Sequence, residues 1–257
     1  MHKGNLEKPV GASGTNLPSP LFTKEWNYVR YRRFPLCKGG WEGDFEILSV
    51  RMVEMDEILG RTLLQVTEFY DGRKVGDVGH LGFRRSSDLS KVFSCLKTMM
   101  DQGFIVPGAA HFLDMGCADG RVNVLMSYLA KTSVGIELDE WTLDDYGTLR
   151  KELDALLTEK GLLLPPRDIF LYHGDSMDES LHDRVHHETG VPFDQFDLFY
   201  TYLTMQEEFA ELIARKAKPG AFFMVYGLEK IIPRFTGLRL LTSARPMEGI
   251  IALYQKV

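Results

Sequence analysis

Small residues follow an acidic residue in the segment HFLDMGCADGRVNVLMSYLA, residues 111–130. The segment is apolar as far as Asp114, then contains Gly116, Ala118 and Gly120, and becomes apolar again at helical spacing. A strand that leads directly into a helix leaves the first backbone N–H groups of the helix unpaired, at its electropositive end. Small residues let a ligand approach these groups closely. The segment therefore predicts a ligand-binding turn, and a tight turn before an ordinary helix is the alternative.

The spacing of these small residues indicates the kind of ligand. Dinucleotide-binding turns read G-x-G-x-x-G, whereas Gly116, Ala118 and Gly120 lie at i, i+2 and i+4, with Asp114 two residues before the first glycine. This pattern resembles the first motif of the class I S-adenosylmethionine (SAM) methyltransferases, an acidic residue followed by G-x-G-x-G. Ala118 departs from that motif by one methyl group. The spacing favours SAM over a dinucleotide as the ligand.

Three later predicted strands also end in polar or aromatic residues. Glu137 ends the strand in TSVGIELDE, where its carboxylate can accept hydrogen bonds from both ribose hydroxyls. Asp175 follows the next strand in LYHGDSMD and can accept a hydrogen bond from an adenine amino group. Tyr200 and Tyr202 lie at the end of a fourth strand, beside the expected methyl group. Ligands of open α/β sheets bind beyond the carboxyl ends of the strands, so these residues are predicted to share one site.

Each of these residues also has a structural interpretation. An acidic residue after a strand is often a helix N-cap, which is the simpler explanation of Asp119, Asp139 and Asp178. A tyrosine in a strand is more often a core residue than a catalytic one. Cys117 is interpreted as a small turn residue rather than as a nucleophile. The marked strand ends, taken together and in this order, favour a SAM site.

A second resemblance concerns the segment FLDMGCADGRV, which is similar to the D-L-G-C-G-D-G-R stretch of the seven-strand protein lysine methyltransferases. The resemblance covers residues 84–227 and implies that Tyr202 lies at the methyl-transfer site. The residues that it assigns to the cofactor are Asp114, Gly116, Gly120 and Glu137. The chain has GFRRSSDLS where that family carries a Pro-Thr step that helps to enclose the cofactor. The Asn-Pro-Pro-Tyr signature of amino-methylating DNA enzymes is absent, which argues against a base as the acceptor.

Alternating strand-like and helix-like segments position these residues. The predicted strands are 111–115, 132–137, 168–173, 196–202 and 220–226, and the predicted helices are 120–130, 140–160, 177–187 and 205–217. Such alternation predicts βαβ units and a parallel sheet covered on both faces. The segment GLRLLTSARPMEGIIALYQKV contains two strand-like runs joined by a turn at Arg245-Pro246. The predicted fold class is therefore α/β, a doubly wound, mostly parallel, seven-stranded Rossmann-like sheet that ends in an antiparallel hairpin, as the class I methyltransferase resemblance also implies.

The region before this sheet is predicted to be separate from it. Residues 1–23 are polar and rich in Gly, Pro and Ser, which predicts a disordered tail. Residues 24–84 alternate apolar and polar residues around Asp71-Gly72, a hairpin signal. We therefore expect a small antiparallel β-extension there.

The methyltransferase domain is predicted to span residues 85–257. It begins with a helix over 86–103, in which Ser86 or Ser87 is the expected N-cap and an apolar stripe faces the core.

Composition narrows the class of protein. The chain has 257 residues, 26% of them charged, and a net charge of −6, which argues against a general nucleic-acid-binding surface. No apolar run reaches the length of a membrane span, and no signal-peptide core is present. Three widely spaced cysteines suit a reducing, cytoplasmic location and show no metal-binding pattern. The oligomeric state is not predicted.

The sequence therefore predicts a SAM-dependent methyltransferase that acts on a nucleophilic acceptor such as a protein lysine. The predicted cofactor-binding residues are Asp114, Gly116, Cys117, Ala118, Asp119, Gly120, Glu137, Leu138, Asp175 and Ser176. The predicted catalytic residues are Tyr202 and Tyr200. The alternatives are a small-molecule methyltransferase with the β-extension as its substrate lid, and a SAM-binding regulatory module without catalysis. A dinucleotide oxidoreductase is disfavoured by the spacing of the glycines.

Overall fold

The structure is a computed structural model. The residues that it describes are 56–73, 78–79, 82–83, 86–229, 231–242 and 245–257. The predicted tail and the strands predicted before residue 56 lie outside the described residues.

Helices and strands alternate through most of the described chain. The helices are α1 (Glu57–Asp71), α2 (Leu89–Asp101), α3 (Arg121–Ser127), α4 (Glu140–Glu159), α5 (Glu179–Thr189) and α6 (Gln206–Lys216). The strands are β1 (Val78–Gly79), β2 (Gly82–Phe83), β3 (His111–Met115), β4 (Thr132–Glu137), β5 (Ile169–His173), β6 (Leu198–Tyr202), β7 (Phe222–Tyr226), β8 (Leu238–Leu240) and β9 (Ile251–Lys256). The sequence predictions of β3 to β7 and of α2 to α6 are confirmed, with small differences at their ends.

Seven of the described strands form one sheet in the order β5-β4-β3-β6-β7-β9-β8. Strands β3 to β7 are parallel, and β9 is antiparallel to both β7 and β8. The predicted fold class is confirmed. The chain passes from β3 through β4 to β5, and then returns to β6 on the other side of β3. Strand order therefore reverses between β3 and β6, and open α/β sheets bind ligands at the carboxyl ends of the strands beside such a reversal.

The sheet is buried on both faces, each by its own apolar core. On one face, strand residues such as Phe112 and Met224 pack with the apolar sides of α1, α2, α3 and α4. On the other face, Leu113 and Phe223 pack with α5 and α6. Burial on both faces explains why β7 is an uninterrupted apolar run, all of it buried. The two helical layers leave the carboxyl edge of the sheet to the loops that carry the candidate site.

The antiparallel β-extension predicted over residues 24–84 is wrong at residues 61–70, because this segment lies within α1. Its buried residues recur at helical spacing, and they are Thr62, Leu63, Val66, Thr67, Phe69 and Tyr70. The β-branched and aromatic residues suggested a strand, but packing against α2, α3 and α4 in one core selects the helix. Of the predicted β-extension, the described strands are β1 and β2, which pair antiparallel.

The predicted hairpin turn at Asp71-Gly72 is also wrong, since Gly72 is the C-cap of α1. The carboxylate of Asp71 instead accepts hydrogen bonds from the backbone N–H groups of Leu89, at 2.6 Å, and Ser90, at 3.0 Å. The N-cap position of α2 is Asp88 rather than Ser86 or Ser87, and Asp88 makes no side-chain cap bond. The last residue of α1 therefore caps α2.

Candidate functional site

The turn after β3 presents its backbone at the carboxyl edge of the sheet. Gly116 has a φ of 108°, and a Cβ on this residue would meet nothing within 4 Å. Gly120 has a φ of 72°, and a Cβ there would lie 2.8 Å from Leu171 Cδ1 and 2.9 Å from Tyr146 Cδ2. The first glycine opens space above the backbone, whereas the second is required by close packing.

Glu137 joins this turn to the loop after β4. Its Oε2 accepts a hydrogen bond from the N–H of Ala118 at 2.8 Å, and its Oε1 accepts one from the N–H of Asp139 at 2.9 Å. Ala118 has a φ of 50°, the left-handed conformation that glycine adopts more easily. Ala118, which replaces the middle glycine of the G-x-G-x-G motif, therefore has a strained backbone, and its N–H is held by Glu137.

Asp114 is a buried acidic residue in β3, one residue before the end of the strand. Its side chain is 1% exposed, and Oδ1 has no hydrogen-bond partner among the described residues. Burial raises the pKa of Asp114 well above its ordinary value, and the neighbouring charges of Glu137 and Asp119 raise it further. An unpartnered buried carboxyl oxygen is energetically costly, and such groups are characteristic of functional sites.

Asp119 and Arg121 form a buried ion pair below the turn. Arg121 Nη2 lies 2.8 Å from Asp119 Oδ2, and the two side chains are 4% and 2% exposed. Asp119 also accepts a hydrogen bond from the backbone N–H of Arg121 at 3.2 Å. The N-cap position of α3 is Gly120, however, so the prediction of Asp119 as a helix N-cap is wrong. Arg121 donates to the carbonyl of Tyr70 and lies over the Tyr70 ring. Arg121 thus neutralises Asp119 and connects the turn to α1.

The loops after β4 and β5 contain the other predicted cofactor residues. Leu138 is 53% exposed at the end of β4, and its carbonyl lies 3.2 Å from His173 Nε2. Asp175 is exposed, and its Oδ1 accepts a hydrogen bond from the Met177 N–H at 2.8 Å. Ser176 is buried beside it. These three predicted cofactor residues thus lie in the loops that follow the neighbouring strands β4 and β5.

His182 supports the Ser176 loop from below, and sequence reasoning did not find it. Its Nε2 lies 2.9 Å from the Ser176 carbonyl oxygen, whereas Nδ1 is buried without a partner among the described residues. Burial lowers the pKa of His182. We therefore assign a neutral ring that carries its proton on Nε2 and donates a hydrogen bond from it to the Ser176 carbonyl oxygen.

Two predicted capping residues take that role. Asp139 accepts a hydrogen bond from the Trp141 N–H at the start of α4, and Asp178 accepts one from the Ser180 N–H at the start of α5.

The two predicted catalytic tyrosines lie in different surroundings. Tyr200 is buried, its hydroxyl lies 2.5 Å from Ser87 Oγ, and its Cα pairs in register with that of Asp114. Tyr202 is half-buried at the end of β6, and its ring centroid lies 5.3 Å from that of Tyr226. Tyr202 packs against the core on one face of the sheet and Phe199 packs into the core on the other, as the alternation of side chains along a strand requires. Tyr202 is thus the more accessible of the two tyrosines.

Sequence reasoning also missed Tyr226 and Ser87. Tyr226 is the last residue of β7, and its hydroxyl accepts a hydrogen bond from the Asp88 N–H at 3.1 Å. Its position before Gly227 at the end of an apolar run was the available signal. Ser87 gave no signal beyond its place before a helix, because its partner is 113 residues away.

Neither a metal site nor a membrane span is found within the described ranges. No group of three or more His, Cys, Asp or Glu residues there could hold a metal ion. No helix in that part of the chain is both long and apolar enough to cross a bilayer.

Comparisons with known proteins give only weak structural likenesses. No protein-family model matches the chain, and no curated protein matches it in sequence. An RNA methyltransferase from Salinibacter ruber, solved with S-adenosyl-L-homocysteine, aligns with 63% of this chain and 90% of its own, at 15% identity and a TM-score of 0.40. The tRNA (m1A58) methyltransferase TrmI from Aquifex aeolicus aligns over 62% and 67%, at 12% identity and a TM-score of 0.40.

A third likeness is to the YcgJ protein from Bacillus subtilis. It covers 51% of this chain at 14% identity and a TM-score of 0.33, and this chain spans 50% of the length of YcgJ. At these scores and identities, none of the three structures assigns a chemistry to this chain.

Proposed function

We propose that the protein is a SAM-dependent methyltransferase whose cofactor binds over the carboxyl ends of β3, β4 and β5, beside the point where strand order reverses. The observation that carries this proposal is the buried Asp114 carboxyl, whose Oδ1 has no partner among the described residues. Glu137 adds a second acidic group, and Arg121 is occupied by Asp119. Such a site favours a cation. SAM carries an ammonium and a sulfonium group, whereas the pyrophosphate of a dinucleotide is negatively charged.

The chain's own residues suit the parts of this ligand. Asp114 would accept hydrogen bonds from the ammonium group, which would satisfy its buried oxygen. Glu137 already accepts two backbone hydrogen bonds, but a carboxylate has about four acceptor positions, so it can also accept from the ribose hydroxyls. Asp175 and Ser176 would bind the adenine edge, and the exposed Leu138 offers an apolar surface to the base.

When bound, SAM supplies an electrophilic methyl group, so the main task of the protein is to position the acceptor. Asp114 on β3 and Tyr200 on β6 are paired, so their side chains lie on the same face of the sheet. Tyr202 lies on that face too, two residues farther along β6, at its carboxyl end. It would therefore line the path by which the acceptor approaches. Orientation of reactants can contribute up to about 7–11 kcal/mol. An aromatic wall that excludes water also lowers the pKa of an ammonium acceptor and favours the neutral, reactive amine.

We extend the proposal to an amine acceptor, with a protein lysine as the first candidate, because the aromatic pair of Tyr202 and Tyr226 would exclude water from an amine and so favour its neutral form. Labelled SAM added to lysate fractions, with and without prior protease treatment, tests this part. Label in protease-sensitive material supports a protein acceptor. Label in the small-molecule fraction supports a small-molecule methyltransferase instead. Tight SAM binding with no transfer in any fraction would favour the regulatory module.

Thermal unfolding with SAM, S-adenosylhomocysteine and NAD tests the cofactor. A ligand that binds only the folded protein at about 100 times its Kd stabilises it by about 2.7 kcal/mol. For a domain of this size that corresponds to a rise in melting temperature of roughly 5–10 °C. We expect this rise with SAM and S-adenosylhomocysteine and none with NAD. A rise with NAD alone would contradict the proposal.

Glu137→Ala and Asp139→Ala are a matched pair, because both carboxylates accept backbone hydrogen bonds in the same short segment between β4 and α4. Glu137→Ala is expected to weaken SAM binding by roughly 2–3 kcal/mol, since the ribose hydroxyls lose a charged acceptor. Asp139→Ala is expected to cost about 1 kcal/mol of stability as a lost cap and to leave SAM affinity nearly unchanged. Calorimetric titration with SAM measures the affinity of both variants. Equal losses of affinity would show that Glu137 acts only as a loop support.

A further inference from the structure

The segment that enters α2, residues 86–88, is held by side chains that are distant in sequence. Ser87 Oγ lies 2.5 Å from the Tyr200 hydroxyl, and the N–H of Asp88 donates to the Tyr226 hydroxyl at 3.1 Å. These bonds join residues 113 and 138 positions apart. Ser87, Tyr200 and Tyr226 are all buried. The entry segment is therefore bonded to both β6 and β7.

The entry segment depends on these external partners. Asp88 occupies the N-cap position of α2 without making a side-chain cap bond, and the Asp71 carboxylate accepts from the first N–H groups of the helix instead. Burial raises the pKa of Tyr200 well above its ordinary value and raises that of Tyr226 to about 12. Both hydroxyls are therefore protonated at neutral pH and can take part in these bonds.

Each of the two tyrosines also meets a residue of the proposed site. The Cα of Tyr200 pairs in register with that of Asp114, and Asp114 adds to the burial that raises the pKa of Tyr200. The ring of Tyr226 packs against that of Tyr202 at 5.3 Å. A single shift of the entry segment would therefore disturb the site both at Asp114 and at Tyr202.

We infer that Ser87, Tyr200 and Tyr226 form a hydroxyl latch that positions residues 86–88 against the site and so sets its affinity for SAM. This inference rests on the proposed function, and it replaces the catalytic role predicted for Tyr200 with a positioning role. The physical reason is a population effect. Apparent affinity falls in proportion to the fraction of molecules that hold the binding-competent arrangement.

Tyr200→Phe and Tyr226→Phe remove one hydroxyl each and keep the ring, and Tyr254→Phe is the matched control. Tyr254 is also fully buried, and its hydroxyl donates to the Pro233 carbonyl at 2.9 Å in the core on the other face of the sheet. We expect all three variants to lose similar melting temperature. We expect the Kd for SAM to rise about three- to tenfold in Tyr200→Phe and Tyr226→Phe and to stay unchanged in Tyr254→Phe.

Hydrogen exchange in the ligand-free protein provides a second measurement. The amide of Asp88 is expected to exchange several-fold faster in Tyr226→Phe than in the wild type, and to be unchanged in Tyr254→Phe. Ser87→Ala should reproduce Tyr200→Phe. The double variant should lose no more SAM affinity than either single variant, because both changes remove the same bond.

The outcomes separate the latch from the proposed function. If the wild type does not bind SAM, the proposed function fails and the latch fails with it. If the wild type binds SAM but Tyr200→Phe and Tyr226→Phe bind it as tightly as Tyr254→Phe does, only the latch is overturned. Additive losses in the Ser87→Ala, Tyr200→Phe pair would also overturn it.

Discussion

Replacing Asp114 with asparagine is expected to weaken SAM binding about 100-fold while making the ligand-free protein more stable. Loss of a charged, buried acceptor costs a cationic ligand roughly 2–3 kcal/mol. The same substitution removes a buried acidic group that lies near the charges of Glu137 and Asp119. We expect a gain of about 1–2 kcal/mol in the free energy of unfolding, which corresponds to roughly 2–8 °C in melting temperature at neutral pH.

The gain in stability is expected to depend on pH in a defined direction. The pKa of Asp114 in the folded chain lies well above the ordinary value of 3.8, so the folded protein retains a proton there that the unfolded chain has released. The stability contributed by this protonated carboxyl is present below about pH 4 and is lost as the pH rises toward the folded-state pKa. Asparagine is neutral throughout. The advantage of Asp114→Asn should therefore nearly vanish below about pH 4 and grow as the pH rises.

Asp119→Asn is the control, because it alters an acidic residue of the same turn that has a partner. It would leave the buried guanidinium of Arg121 without its counter-ion, and breaking such a pair typically costs about 3–5 kcal/mol. The two variants should thus shift the melting temperature in opposite directions. A less stable Asp114→Asn that binds SAM normally would assign Asp114 a structural role and contradict the proposed cofactor site.

Tyr202→Ala is expected to lower turnover about 100-fold while changing SAM affinity by less than about threefold. The ring lies at the end of β6, where it would contact the acceptor rather than the cofactor, and a misplaced reactant can cost a factor of this size. The ring is half-buried, so the loss of stability should be smaller than the ~3–5 kcal/mol of a fully buried aromatic residue. Melting temperature, SAM affinity and turnover, all measured on one preparation of the variant, distinguish a role in contacting the acceptor from a purely structural one.

Phe104→Ala is the matched control for Tyr202→Ala. Phe104 is also partly exposed, at 38%, and its ring stacks on that of Phe222 with centroids 5.4 Å apart. Phe222 begins β7, so this pair lies at the amino edge of the sheet, opposite the site. The control should lose stability and keep its activity per folded molecule. The same behaviour in Tyr202→Ala would show that Tyr202 has only a structural role.

The parallel sheet could be predicted from sequence because strands buried on both faces are short, continuous apolar runs bounded by turn residues. The helix α1 could not, since its apolar residues fit both a helix and a strand, and contacts with three other helices decide between them. Asp71 misled for a similar reason. Its local neighbour Gly72 suggested a hairpin, while its actual partners, Leu89 and Ser90, lie farther along the chain.

The candidate site divides in the same way. Asp114 and Glu137 could be placed from sequence because the carboxyl ends of neighbouring parallel strands meet at one edge. The ion pair between Asp119 and Arg121 and the backbone strain at Ala118 follow from three-dimensional packing. The spacing of residues along the sequence does not reveal either of them. Tyr226 entered the site only because β7 lies beside β6.

Asp71, the last residue of α1, caps the start of α2, and this contact affects which part of the chain can fold by itself. Asp71 satisfies the first amides of α2, and Tyr70 supplies both a carbonyl and a ring to Arg121. A fragment that began after Gly72 would still contain every strand of the seven-stranded sheet. It would nevertheless expose an uncapped helix end and uncover a buried cation. We therefore expect the smallest fragment that folds by itself to begin no later than α1, rather than at residue 85, where the sequence predicts the start of the domain.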